Sequence, residues 1–170
     1  MRIAAILLCC VAAFLTVAFS AGYRVNMTRS EPVGLYRLVP DAPTQGDLAA
    51  FCLSPENAYT AISSNRNYLG TSSLCSSGQK PLLKEVAGLA GDSVTVHSSL
   101  IQVNDTLFIL TSRTRDKQGR ELPRKLRSGV ISEGKALLLS THHKNSFDSR
   151  YFGLVKASTL HKVIPIFTFN

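Results

Sequence analysis

The chain contains no tryptophan, no internal repeat is evident, and acids are scarce: 11 Asp and Glu stand against 19 Lys and Arg, for a formal net charge of +8. The lack of a repeat argues against solenoid and propeller architectures. A basic balance raises the question of a nucleic-acid partner, and the distribution of the charge speaks against one. Between Arg113 and Arg127 lie Arg113, Arg115, Lys117, Arg120, Arg124, Lys125 and Arg127 against only Asp116 and Glu121. No aromatic side chain is interleaved there to stack on bases, so nucleic acid is not expected. The plain reading of the run is a solvated loop or hairpin; the functional one is contact with anionic lipid headgroups or an acidic partner. Metal-ligand spacing is also missing. His142 and His143 are adjacent, so on a strand they would face opposite ways, and no Cys or Asp/Glu constellation accompanies them. No metal or cofactor is expected.

There are four cysteines. Cys9 and Cys10 sit in an apolar segment and read as small hydrophobes. Cys52 and Cys75 are too far apart for a C-x-x-C motif. With the body outside the cytoplasm they are expected to form a disulfide, worth roughly 3 kcal/mol for a loop of this length. Two unrelated buried thiols are the alternative.

Ile3 to Gly22 carries no charge. Twenty helical residues span about 30 Å, the hydrocarbon thickness of a bilayer. Residues 1–22 therefore read as a membrane anchor. A cleaved signal peptide is the rival, with Ala18-Phe19-Ser20 as its small-x-small site, but the run is longer than a usual signal core. Arg2 flanks one end, and Arg24 and Arg29 the other, so charge does not set the orientation. Residues 23–170 have the size of one domain, and their turn-punctuated short apolar runs predict a mostly β body. Strands are expected at 34–39, 47–53, 82–89, 93–97, 100–103, 106–110, 135–140 and 154–166, with a hairpin turn at Asn104-Asp105 and a short helix over 55–62.

Two settings carry chemistry. Ser30 lies in Thr28-Arg29-Ser30-Glu31-Pro32-Val33-Gly34-Leu35-Tyr36, eight residues beyond the apolar segment. Lys84 lies in Pro81-Leu82-Leu83-Lys84-Glu85-Val86-Ala87. On a strand Leu82, Lys84 and Val86 share one face while Glu85 points away. A lysine on an apolar face loses basicity, which is what a lysine general base near neutral pH requires. A serine needs such a base to become a nucleophile.

These segments resemble the type I signal peptidase family, and most closely its conjugal-transfer (TraF-type) branch. Four blocks carry the resemblance in the family's order, from about Asn26 to Gly153: the S-x-P-x-G-L-Y stretch at Ser30, Gly46-Asp47-Leu48-Ala49-Ala50-Phe51, Leu82 to Asp92, and Asn145-Ser146-Phe147-Asp148-Ser149-Arg150-Tyr151-Phe152-Gly153. Glu85 stands where the family commonly has Arg, and Thr141-His142-His143-Lys144 departs from its Gly-Asp-Asn-Arg. The resemblance implies a signal-peptidase-like β domain, sheet or partly open barrel, behind one transmembrane helix. It implies that Ser30 is the nucleophile, Lys84 the general base, Thr28 a helper of the oxyanion hole, and Ser146 the hydroxyl that orients the lysine. Pro32 would fix the turn, and Asp148 and Arg150 would form a structural ion pair.

The implied protein is a single-pass serine endopeptidase of a bacterial inner membrane, with its catalytic domain in the periplasm. Its expected partners are the lipid bilayer, a propilin or other membrane-tethered precursor, and a conjugative transfer apparatus. The alternatives are a general type I signal peptidase and a non-enzymatic membrane-anchored scaffold of a pilus or secretion complex.

Overall fold

The computed structural model describes residues 2–143 and 145–169. Helix α1 (Arg2–Ser20) has no buried residue and is long and apolar enough to cross a membrane. Its Thr16 hydroxyl donates to Ala12 O at 2.8 Å, so this polar group is satisfied within the helix. The chain leaves α1 through Gly22, in the left-handed region at φ +90, and enters β1 (Tyr23–Asn26).

The body is built on β2 (Val33–Leu38), β3 (Leu48–Phe51), α2 (Ala58–Asn65), β4 (Leu82–Leu89), β5 (Ser93–Val96), β6 (Ile101–Val103), β7 (Thr106–Phe108), β8 (Gly129–Val130), β9 (Lys135–Leu139), α3 (Ser149–Phe152), β10 (Val155–Lys156) and β11 (His161–Phe169). A seven-stranded sheet runs β1-β2-β11-β3-β4-β9-β10, and a four-stranded sheet runs β7-β6-β5-β8. The strand pairings are antiparallel.

Strand alternation explains the two cores. In β9, Ala136 and Leu138 join a cluster with Phe51, Leu53, Val86 and Phe152, while Leu137 and Leu139 join a second with Val94, Ile101 and Val103. β9 is thus buried on both faces and divides the interior. β4 matches its expected bounds, and Leu82, Lys84 and Val86 are buried on one face as alternation requires. A bulge between Val86 and Gly88 then turns Ala87 into the second core.

Three expectations need correction. α2 starts at Ala58 rather than Pro55, because the Asn57 side chain caps it by accepting from Tyr59 N. The predicted strand over 154–166 is interrupted by a 3-10 turn at Ala157–Thr159, leaving the short β10 and the long β11. Strands β1 and β8 and helix α3 were not expected at all. Asn104 takes φ 50 in the tight β6–β7 connection, as the Asn104-Asp105 turn predicts. Cys52 and Cys75 are disulfide-bonded, with Cα atoms 5.5 Å apart. Cys9 and Cys10 are exposed on α1.

Candidate active site

The loop carrying Ser30 is held from both ends. Downstream, buried Tyr36 donates its hydroxyl to Pro32 O at 2.7 Å and closes the turn. Gly34 lies under β11, where a Cβ would sit 2.2 Å from Phe167 O, so β2 and β11 can pair there only around glycine. The Gly34-Leu35-Tyr36 stretch therefore has a structural cause.

Upstream, the Asn26 amide donates to Thr28 O, Glu31 O and Pro32 O at 3.1, 3.1 and 3.0 Å. Its Oδ1 accepts from Thr28 N at 3.0 Å and from the Thr28 hydroxyl at 2.7 Å. Asn26 is the hub of the loop, and sequence reasoning gave it no role. Thr28 Oγ1 is also 3.3 Å from Ser30 Oγ. A hydroxyl has one proton to give. With that of Thr28 directed at Asn26, Ser30 is the donor in the Thr28–Ser30 contact. Across the fold, the Ser140 hydroxyl donates to Ser30 O. Ser140 follows Leu139, which pairs with Glu85, so the antiparallel register sets Ser140 level with Lys84.

Lys84 sits mid-strand between β3 and β9, opposite fully buried Ala49, and is itself 2% exposed. Burial pulls its pKa down to about 8; the charges of Asp148 and Glu31 act against that fall, and Arg150 adds to it. The Lys84 amine donates to Leu83 O at 2.8 Å. Among the described residues no hydrogen bond joins it to Ser30 Oγ or to Ser146 Oγ. The Ser146 hydroxyl is buried with no hydrogen-bond partner, which is an open position for a polar atom arriving in the site.

Behind the lysine, Asp148 and Arg150 form a buried, two-pronged pair: Nε and Nη2 of Arg150 each lie 2.8 Å from a carboxylate oxygen. Arg150 also donates to Thr111 O and Ser146 O at 3.0 and 3.1 Å. Asp148 caps α3 by accepting from Arg150 N, and it accepts from Ser140 N at 3.3 Å. Ser149 Oγ accepts from Leu138 N at 3.0 Å. This box clamps its own backbone to β9, beside β4.

Glu31 is the second residue that sequence reasoning missed. The residue is 6% exposed, and its Oε1 has no hydrogen-bond partner. Burial raises its pKa to about 7; Ser140 and Lys84 oppose the rise, and Glu85 and Asp148 add to it. Nothing in the linear sequence marks a glutamate beside a loop serine as buried; the signal is the fold itself, which closes the end of β9 over the loop.

Ser30, Thr28, Lys84 and Ser146 line one long groove. Pro32, Asp148 and Arg150 are outside its lining and act from behind its wall. His143 lines the groove and accepts from Asn145 N at 3.2 Å through Nδ1. No cluster of His, Cys, Asp or Glu suited to a metal occurs among the described residues.

A family model for signal peptidase, peptidase S26, matches residues 1–167. The chain belongs to the S26 signal peptidase family. Relatives within reach are a plasmid transfer protein TraF of Escherichia coli, 36% identical over 173 residues (98% of this chain, 96% of that protein), and a conjugal transfer protein TraF of Agrobacterium tumefaciens, 35% identical over 176 residues (94% and 90%). A signal peptidase I of Enterococcus faecalis, of known structure, is 20% identical; the match covers 73% of this chain and 97% of that one, with a TM-score of 0.42. For an S26 member, the groove that holds Ser30, Lys84 and Ser146 is the candidate active site.

Proposed function

We propose that the chain is a membrane-anchored serine endopeptidase that matures a propilin or similar exported precursor for a conjugative transfer apparatus. Ser30 is the nucleophile and Lys84 the general base. The observation that carries the reading is Lys84 itself: a fully buried amine with a pKa near 8, in the same groove as the half-buried loop serine Ser30. At pH 7 about a tenth of such a lysine is neutral, enough to supply the base.

The neutral amine removes the Ser30 hydroxyl proton as Oγ bonds to the scissile carbonyl carbon. The Ser30 N–H, with Thr28 beside it, faces the developing oxyanion; one such donor is worth about 3 kcal/mol. The C–N bond then breaks, and the leaving amine takes the proton from Lys84. Water, or the amino terminus of the precursor itself, displaces Ser30 from the ester. Ser146 orients the lysine, and the Asp148–Arg150 pair holds that box in place.

Helix α1 supports a single-pass anchor, and the disulfide supports a body on the oxidising, periplasmic side of the inner membrane. Exposed Met27 precedes the nucleophile loop, and exposed Phe167 and Phe169 stand on β11 opposite Leu35 and Val33 of the β2 strand that follows it, an apolar fringe suited to the bilayer surface. The anchor then serves proximity, since it presents the groove to a membrane-tethered substrate.

The test is processing of a co-expressed candidate propilin, followed by intact mass, with wild type, Ser30→Ala and Lys84→Ala. Both variants are expected to fold and to leave the precursor uncut. A cyclic wild-type product would be lighter than the linear one by a water. Unchanged processing in either variant would remove the dyad and bring the scaffold reading forward.

A further inference from the structure

The basic run from Arg113 to Arg127 is not an idle loop. Arg113 N donates to Tyr151 Oη at 3.1 Å and Lys125 N to Arg150 O at 3.2 Å, so its backbone is docked on α3. Asp116 pins the tip: it lies 2.7 Å from Arg120 Nε, accepts from Tyr68 Oη at 2.7 Å, and is 3.9 Å from Arg66. Arg66 also donates to Glu121 O at 2.7 Å.

The run thus forms a fixed lip. Arg113, Arg115, Lys117, Lys125 and Arg127 are exposed on it and line the same groove as Ser30 and Lys84. None of the five has a carboxylate within 4.0 Å among the described residues. The described acids in the groove lining are Glu56 and Asp116, and Asp116 is already engaged. Arg115 donates to Gly119 O, Arg127 donates to Arg124 O and Lys125 lies over the Tyr59 ring, contacts that hold these side chains without neutralising them. Five cations with no carboxylate partner along one wall of a groove make a field that selects a complementary ligand.

We infer that this lip is a substrate subsite that binds an acidic segment, rich in Asp or Glu, on the polypeptide whose scissile bond lies at Ser30. The inference rests on the peptidase reading. A peptide is favoured over anionic lipid by position. The anchor enters the sheet at β1, whereas the lip is docked on α3, which packs on β9. Five strand spacings separate β1 from β9, about 24 Å along the sheet.

Binding without turnover tests this. The full-length Ser30→Ala protein in neutral detergent is titrated with a dye-labelled oligoglutamate, and in parallel with an oligoglutamine of the same length, by fluorescence anisotropy. The expected result is tighter binding of oligoglutamate, weakening with salt. Arg113→Glu and Lys117→Glu should each weaken it about threefold or more, while Arg37→Glu, exposed outside the groove, should leave it unchanged. Equal binding of the two peptides, or equal loss with Arg37→Glu, overturns the subsite. So does a result in which the lip variants lose binding only to phosphatidylglycerol vesicles. Failure of the peptidase reading would show elsewhere, as precursor processing that persists in Ser30→Ala.

Discussion

The loop that carries Ser30, the proposed nucleophile, and the strand that carries Lys84, the proposed base, face one groove but are built by opposite means. The loop is exposed from Met27 to Arg29 and half-buried at Ser30, and polar contacts hold it: one asparagine amide gathers three carbonyls, a tyrosine hydroxyl closes the turn, and Ser140 reaches across from the end of β9. The base is buried, and the sheet holds it. Its position is fixed by register between β3 and β9, and its basicity by loss of water. Positioning by hydrogen bonds leaves a side chain free to meet substrate. Positioning by burial changes the chemistry of the side chain itself. The proposed roles match: a serine nucleophile needs the first, and a lysine general base needs the second.

The comparison predicts where each half breaks. On the buried side, Arg150→Met would leave Asp148 as an uncompensated charge in a fully buried site, at a cost of about 3–5 kcal/mol. The expected outcome in thermal or urea unfolding is a large loss of stability, with loss of processing following the loss of fold. On the exposed side, Asn26→Asp keeps the oxygen that Thr28 contacts but replaces the donor to three carbonyls with a second acceptor. The cost should be about 1–3 kcal/mol. Processing rate should fall by more than that stability change explains, because the disorder is confined to the loop that aims Ser30. An Asn26→Asp protein that cuts at the wild-type rate would mean that Tyr36 and Ser140 suffice to hold the loop.

The same contrast governs what could be read from the sequence. Lys84 was legible because burial leaves a pattern: apolar residues at period two around it, in a run whose ends Pro81 and the Gly91-Asp92 turn mark. Its bounds and its buried face follow directly. The Cys52–Cys75 bond was expected once the body was placed outside the cytoplasm. Asn26 and Glu31 were not. Asn26 acts through backbone carbonyls up to six residues away, and an asparagine before a turn is ordinary. Glu31 is buried by Ser140 and β4, which lie more than fifty residues away in the chain. The strand expected over 154–166 failed for a related reason: its apolar residues serve two strands, β10 on β9 and β11 between β2 and β3, and the 3-10 turn between them leaves no mark in the hydrophobic pattern. Helix α3 is a four-residue turn fixed by Asp148 and Ser149 contacts, below the length at which periodicity speaks.

Glu31 joins the two regions, since it follows the nucleophile in sequence and faces the base in space. The charged groups acting on it are Lys84 and Glu85 from β4 and Asp148 from the cap of α3; those acting on Lys84 are Asp148, Glu31 and Arg150. An ionised Glu31 holds the proton on Lys84, while a base must shed it, so Glu31→Gln should make Lys84 less basic. The acidic limb of the kcat/KM profile, expected near pH 8 in the wild type, should move to lower pH. Stability should respond with a defined sign. The folded protein holds the Glu31 proton up to about pH 7, the unfolded chain only to 4.5, so this group costs stability as pH rises between those values. Lys84 does the reverse: the unfolded chain binds its proton up to 10.5 and the fold only to about 8, so stability is recovered as pH rises through that window. Melting temperatures of Glu31→Gln followed from pH 4.5 to 7 should therefore lack part of the wild-type decline, and the recovery above pH 8 should remain. A limb that stays where it is, with a melting profile that still declines, would mean that the Glu31 charge does not reach the base, and that the two halves of the site meet only through the substrate.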